Sequence, residues 1–189
     1  IKPQDFVDFL NQMVWHQDEP LADPVCVPLY FVSKLARDTG TIVIQVGEGS
    51  DELFAGYDGY LFMANLYRRC YAPFQALPVW LRQAVMPLAA SLLSDRKLEY
   101  VRRAASGQEL FWGGATVFSE HEKRRFMSPL ISNSVVSTHD DVVKELYARF
   151  DAERPEAGFL DRIIYLELKQ RLPELLLMRV DKMTMANSI

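Results

Sequence analysis

Residues 41–57 constrain the fold of this chain more than any other stretch. Residues 41–46 form an almost continuously apolar, β-branched run, which ends at a loop with two glycines and a helix-like stretch. Such a run is typical of a strand that is buried on both faces of a parallel sheet. Open α/β sheets bind ligands at the carboxyl ends of their strands. The sequence therefore predicts a strand, a ligand-binding loop and a helix, in that order.

The loop carries an unusual concentration of acid, since Glu48, Asp51 and Glu52 lie close together. Free backbone N–H groups and the following helix N-terminus could bind an anion there. The carboxylates could instead hold Mg²⁺, which prefers oxygen ligands. The sequence has neither a lysine-bearing P-loop nor a GxGxxG motif. From spacing alone, a metal–nucleotide site and a plain acidic turn both remain open.

The rest of the chain is predicted to be mainly α-helical. Apolar spacing and capping signals predict helices over 3–15, 28–37, 52–69, 78–93 with a break at Pro87, 96–105, 119–126, 138–149 and 157–186 with a break or kink at Pro173. One strand cannot form a sheet by itself. We therefore expect residues 1–189 to be part of one larger α/β domain, with no internal domain boundary.

Composition excludes several classes of protein. The 189 residues carry a formal net charge of −4, and no basic patch marks a nucleic-acid partner. No apolar stretch approaches the ~20 residues of a membrane span. Cys26 and Cys70 have no metal-binding spacing and the three histidines lie far apart, so a zinc site is not expected. Both cysteines are expected to be buried thiols of a reducing compartment.

Three stretches resemble one enzyme family. Gly47-Glu48-Gly49-Ser50-Asp51-Glu52-Leu53-Phe54-Ala55-Gly56-Tyr57 resembles the S-G-E/D-G-S/G-D-E-x-F-x-G-Y signature of glutamine-dependent asparagine synthetase. Trp15-His16-x-Asp18-Glu19-Pro20-x-Ala22-Asp23-Pro24 resembles a segment upstream of that signature. Leu172-Pro173-x5-Arg179-Val180-Asp181-Lys182-Met183-Thr184-Met185-Ala186-x-Ser188 resembles the family's L-P-x5-K-x-D-R/K-x-S/T-M-A-x-S helix. The matches keep the family's order across nearly the whole chain.

The resemblance implies an adenine nucleotide alpha hydrolase-like fold with the parallel sheet of ATP pyrophosphatases. It also implies a reaction in which Mg·ATP activates the side-chain carboxylate of aspartate as β-aspartyl-AMP. Ammonia released from glutamine by a separate glutaminase domain then attacks this intermediate. ATP and Mg²⁺ are the implied cofactors, and the implied location is the cytoplasm.

Residue roles follow from the same resemblance. Val46 and Gly47 align with the backbone that contacts the adenylate, and Gly49 and Ser50 line the same loop. Glu48 aligns with the acid that orients substrate or accepts a proton from ammonia. Asp51 aligns with a residue that binds Mg²⁺ in the family. Asp181 and Lys182 lie on a helix expected near the site, without a chemical step.

Some features depart from the family pattern. Val46 stands where the family usually has serine, so only a backbone contact would survive there. The pyrophosphate loop S-G-G-x-D-S and an amino-terminal cysteine nucleophile are both missing, and the family's E-A-R-V-P-F-L-D segment would follow Ile189. The chain is therefore expected to carry about half of one active site. By itself it is expected to be inactive, and its unpaired sheet edge would favour a homodimer.

Ordinary structural roles are expected for six further side chains in or near the matched stretches. Glu52 is expected to be a first-turn helix acid, Asp18 and Asp23 to be loop hydrogen-bonders, Lys182 to be a surface or salt-bridge lysine, and Tyr57 and Tyr60 to be packing aromatics. Three alternatives to an asparagine synthetase stay open. They are a paralogous ligase that adenylates another carboxylate, as in a β-lactam-synthetase-like enzyme, a catalytically silent helical interaction module, and an unrelated nucleotide-binding module.

Overall fold

The computed structural model describes residues 1–19, 23–128, 131, 134 and 138–189. The α-helices referred to below are α1 (Pro3–Gln17), α2 (Cys26–Asp38), α3 (Ser50–Phe54), α4 (Asp58–Leu66), α5 (Ala72–Gln75), α6 (Val79–Ala84), α7 (Met86–Leu92), α8 (Asp95–Ala105), α9 (Glu120–Phe126), α10 (His139–Glu153), α11 (Phe159–Lys169) and α12 (Met178–Met185). Two π-helical segments are also present: Tyr67–Tyr71 lies between α4 and α5, and Leu172–Leu177 directly precedes α12. None of the helices in these ranges is long and apolar enough to cross a membrane.

The described residues divide into two compact units. The first unit contains Ile1–Ser50 and Leu172–Ile189, and the second contains Asp51–Arg171. The boundary falls inside the sequence signature, because Ser50 closes one unit and Asp51 opens the other. The assignment of residues 1–189 to a single domain stays a prediction.

The first unit packs α1 and α2 against α12. Phe9, Met13, Cys26, Val27 and Met183 form its buried core. Phe9 and Met13 are one helical turn apart, so they lie on the same face of α1. The helices predicted over 3–15 and 28–37 are confirmed, each extended by two residues or fewer at either end.

The predicted strand over residues 41–46 is wrong. The structure gives this segment no regular secondary structure, and no strand occurs among the described residues. Ile42 and Val43 are 73% and 76% exposed, so the apolar run is uncovered rather than buried. A strand needs a neighbour that takes up its backbone hydrogen bonds, and no described segment pairs with this one.

The second unit has its main core between α4, α10 and α11. Its buried members are Tyr60, Phe111, Trp112, Val143, Tyr147, Ile163 and Leu166. Trp112 donates its indole N–H to Asp140 at 3.1 Å, and Tyr147 donates its hydroxyl to the Phe111 carbonyl at 3.1 Å. These bonds satisfy the polar ends of the large aromatic side chains, so the rings can be buried.

Most helix predictions in the second unit are confirmed. The capping boxes predicted at Ser119 and Thr138 are present, and α9 and α10 begin directly after them. The break near Pro87 is found between α6 and α7. The single helix predicted over 52–69 is instead divided, because α3 ends at Phe54 and α4 begins at Asp58.

The cysteines differ in their surroundings. Cys26 is buried, as expected, and burial raises the pKa of its thiol. The prediction that Cys70 is buried is wrong, because that side chain is exposed. Cys70 lies in the π-helical segment Tyr67–Tyr71, which directs the neighbouring Tyr71 into a second small core and leaves the thiol outside.

Candidate functional site

The loop of residues 46–50 leads into α3. Gly49 is buried and has a φ of +97°, a conformation that favours glycine. A Cβ atom at Gly49 would also lie 3.4 Å from the side chain of Leu172. Gly47 has open space around its Cα, and Ser50 is exposed at the start of α3. The loop therefore depends on glycine at position 49, whereas position 47 offers an accessible backbone.

Glu48 is held by an arginine to which the family resemblance assigned no role. Its Oε1 atom lies 3.4 Å from Nη2 of Arg179 on α12, and its side chain is 22% exposed. The other terminal nitrogen of Arg179, Nη1, pairs with Asp23. Arg179 occupies the lysine position of the L-P-x5-K pattern. The sequence signal that could have assigned it to the site was therefore a basic residue at a matched motif position.

A second contact joins the amino-terminal helix region to α12. The Nζ atom of Lys182 donates to the backbone carbonyl of Gln17 and lies 3.3 Å from Oδ2 of Asp18. The expected salt-bridge role of Lys182 is thereby confirmed. Asp23 accepts from the backbone N–H of Val25 at 3.0 Å, as expected of a loop hydrogen-bonder. Residues 20–22 of the upstream motif lie outside the described residues.

An open, mostly apolar groove of about 430 Å³ adjoins the loop in the first unit. Its lining residues are Ile42, Val43, Ile44, Val46, Leu177, Val180, Asp181, Thr184 and Ile189. Val46 therefore contributes an apolar side chain where the family usually has a serine hydroxyl. Such a lining suits the flat face of a base better than a charged group.

In the second unit, Asp51 is an exposed residue in the first turn of α3. The helix ends with Ala55 in the left-handed conformation at φ +54°, and the N–H of Gly56 donates to the Asp51 carbonyl at 2.9 Å. This arrangement is a Schellman motif. A Cβ atom at Gly56 would overlap Oδ1 of Asp51 and lie 3.0 Å from its Cα. The glycine therefore leaves the space that the Asp51 carboxylate occupies.

Glu52 lies in the first turn of α3, as expected, but it is buried rather than solvated. The hydroxyl of Tyr57 donates to its Oε1 atom at 2.9 Å. Burial, with a further contribution from this hydrogen bond, raises the pKa of Tyr57. Glu52 therefore has an internal partner and is not available as an open ligand.

The packing roles expected for Tyr57 and Tyr60 are confirmed, and both rings belong to a polar network. Tyr60 donates its hydroxyl to Oε2 of the fully buried Glu167 at 2.5 Å, and Gly114 donates its backbone N–H to Oε1 at 2.6 Å. Nη1 of Arg171 lies 3.2 Å from the same carboxylate, and its guanidinium lies 4.5 Å from the centre of the Tyr57 ring. Burial and the Glu167 hydrogen bond raise the pKa of Tyr60 well above its usual range.

Replacing Glu167 by alanine is expected to lower the free energy of unfolding by about 3–5 kcal/mol, because Arg171 would lose a buried partner. Urea unfolding of the native protein measures this change. The matched control is Glu145→Ala, which removes the i,i+4 ion-pair partner of Arg149. Both side chains of this pair are exposed, Glu145 to 67% and Arg149 to 66%. We expect a change of only about 0.3–0.5 kcal/mol there. Equal losses in the two variants would contradict the role of burial.

The described residues fit the implied Mg²⁺ as an ion whose ligands come partly from substrate phosphates and water, rather than from the protein alone. No group of three or more His, Cys, Asp or Glu side chains in the described ranges could hold a metal ion. Mg²⁺ is often bound by only one or two carboxylates together with substrate phosphates and water. The exposed carboxylate of Asp51 can supply one such ligand.

Comparisons with known proteins support the resemblance. The sequence matches the family "Asparagine synthase" over residues 1–189. It is 31% identical to "Asparagine synthetase [glutamine-hydrolyzing] 1" of Bacillus subtilis and 34% identical to a "Putative asparagine synthetase [glutamine-hydrolyzing]" of Mycobacterium tuberculosis. Both alignments cover all of this chain, which spans 28% and 27% of those relatives. No solved structure matches the sequence.

The chain therefore belongs to the asparagine synthase family. Membership implies a nucleotide alpha hydrolase-like fold, although the described residues are mostly helical and contain no strand.

Proposed function

We propose that this chain forms part of the synthetase site of an ATP-dependent ligase that converts aspartate to asparagine. The observation that carries the proposal is the position of Glu48. It lies in the loop that matches the family signature, and Arg179 holds its carboxylate in a partly buried position. A residue that orients a substrate or takes up a proton needs such a defined geometry.

The chemistry assigns distinct tasks to the loop. An oxygen of the aspartate side chain attacks the α-phosphorus of ATP, and pyrophosphate leaves. Ammonia then attacks the activated carbonyl carbon, AMP leaves, and Glu48 accepts a proton from the nitrogen. The backbone of Val46 and Gly47 contacts the adenylate, and the Ser50 hydroxyl donates to a phosphate oxygen. The open, mostly apolar groove beside Val46 supports the binding of a base there.

Asp51 would hold Mg²⁺, which would supply positive charge to neutralise the phosphates of ATP. The exposed position of Asp51 supports this role, because the carboxylate can reach a ligand in solvent.

The wider protein supplies the remaining parts in this proposal. A glutaminase domain releases ammonia from glutamine, and the missing pyrophosphate loop belongs to the same synthetase domain as residues 1–189. The relatives that carry glutamine hydrolysis in their names support this view, and the chain spans about a quarter of their length. Location in the cytoplasm and assembly as a homodimer are further parts of the proposal.

The native full-length protein should release pyrophosphate from ATP in the presence of aspartate and form asparagine when ammonia is added. Replacing ammonia by glutamine tests the glutaminase step, and replacing aspartate by other carboxylates tests the substrate. Release with a different carboxylate would assign the protein to a paralogous ligase. No release with any carboxylate by the folded protein would contradict the proposal. The isolated 189 residues are expected to form no asparagine.

A further inference from the structure

Arg179 joins two carboxylates from distant parts of the first unit. Its Nη1 atom pairs with Asp23, which lies three residues before α2 begins, and its Nη2 atom lies 3.4 Å from Oε1 of Glu48. The side chains of Arg179 and Asp23 are only 12% and 13% exposed. Water therefore screens this pair much less than it screens a surface ion pair.

Three contacts connect Val25, Asp23, Arg179 and Glu48 in series. The backbone N–H of Val25 donates to Oδ1 of Asp23, which leaves Oδ2 to pair with Arg179. A guanidinium is planar and rigid, so holding one terminal nitrogen restricts where the other points. Asp23 is itself fixed by the Val25 N–H, and the Arg179 that it pairs with reaches Glu48 through its other terminal nitrogen. The direction of the Arg179 side chain is thus set from the Asp23 side.

We propose that Asp23 is a positioning residue for the reaction, and that it acts by aiming Arg179 at the Glu48 carboxylate. This role rests on the function proposed above, because it requires Glu48 to take part in the reaction. In this role Asp23 acts through Arg179 rather than by contact with the substrate. A purely structural ion pair would make a different prediction, since its loss would lower stability without changing the rate of the folded enzyme.

Asp23→Asn in the native full-length protein separates the two roles. The variant keeps the shape of the side chain but removes its charge, so Arg179 loses its fixed partner. We expect kcat for asparagine formation to fall by about 10- to 100-fold, the scale of a small misplacement of a reacting group. The KM for ATP should stay within about threefold, since the contacts to ATP are made by other residues. Asp23→Glu restores the charge and should recover part of the lost kcat.

Asp18→Asn is the matched control, because it makes the same substitution at an exposed aspartate that pairs with Lys182 instead. It should leave kcat unchanged. A double-mutant cycle gives a second readout. In the Glu48→Gln background, Asp23→Asn should lower kcat by less than about twofold, since the two substitutions disturb the same group.

The outcomes are distinguishable. An active wild type with unchanged kcat in Asp23→Asn would overturn the positioning role and leave the proposed function intact. Equal losses in Asp23→Asn and Asp18→Asn, or additive losses with Glu48→Gln, would also overturn it. No aspartate-dependent release by the wild type would overturn the proposed function, and this role with it.

Discussion

Glu48→Ala is expected to reduce asparagine formation by the native full-length protein by about 10²- to 10⁴-fold, the usual contribution of a positioned proton acceptor. The substitution removes the carboxylate that lies 3.4 Å from Arg179 at the signature loop. The effect should appear in kcat, because proton transfer belongs to the transition state rather than to substrate binding. Steady-state kinetics with aspartate, ATP and ammonia measure it.

Glu48→Gln keeps the size of the side chain and removes its basic oxygen. If proton acceptance is the main role, this variant should lose nearly as much activity as Glu48→Ala. If orientation by hydrogen bonding is the main role, the glutamine variant should keep more activity than the alanine variant. The control is Glu174→Ala, an exposed acid in the same unit. Near-wild-type rates in Glu48→Ala would contradict the assignment of Glu48.

Gly56→Ala is expected to reduce the same activity by about 100-fold, because a reacting or ligating group displaced by an ångström can cost that much. The added Cβ atom would overlap Oδ1 of Asp51 and lie 3.0 Å from the Asp51 Cα, so the carboxylate must move. If Asp51 binds Mg²⁺, raising the Mg²⁺ concentration should restore part of the rate. Measuring the rate against Mg²⁺ concentration tests both statements.

The matched control is Gly59→Ala, since a Cβ atom at Gly59 meets nothing within 4 Å. Gly59 lies in α4, where alanine favours the helix, so this variant should be fully active and slightly more stable. Gly56→Ala should cause little further loss in an Asp51→Ala background, because both substitutions act on one carboxylate. An Mg²⁺ response identical to that of the wild type would show that Gly56 does not act through Asp51.

Most helices could be predicted because their signals are local. The serine and threonine before α9 and α10 accept hydrogen bonds from backbone N–H groups three residues later, within one turn. Such contacts need no partner from a distant segment, so they leave a signal in the local sequence. The division between α3 and α4 was missed because it depends on Ala55 in a left-handed conformation, which alanine rarely adopts.

The candidate loop itself was also apparent from sequence, through the order and spacing of its glycines and acids. Glu48, Gly49 and Asp51 lie within four consecutive residues, so the motif that contains them can be recognised without knowledge of the fold. The strand predicted before it failed because an apolar run becomes a strand only when a second strand takes up its backbone hydrogen bonds. That condition is not local to residues 41–46.

The sequence by itself determined the helical character of this chain, its signature loop and its family. Only the tertiary structure placed Arg179 against Glu48 across 131 residues, and against Asp23 across 156. It also buried Glu52 and Glu167, which the sequence does not distinguish from surface acids. The physical reason is that capping and periodicity act within a few residues, whereas the partner of a charged side chain depends on which distant segments pack together.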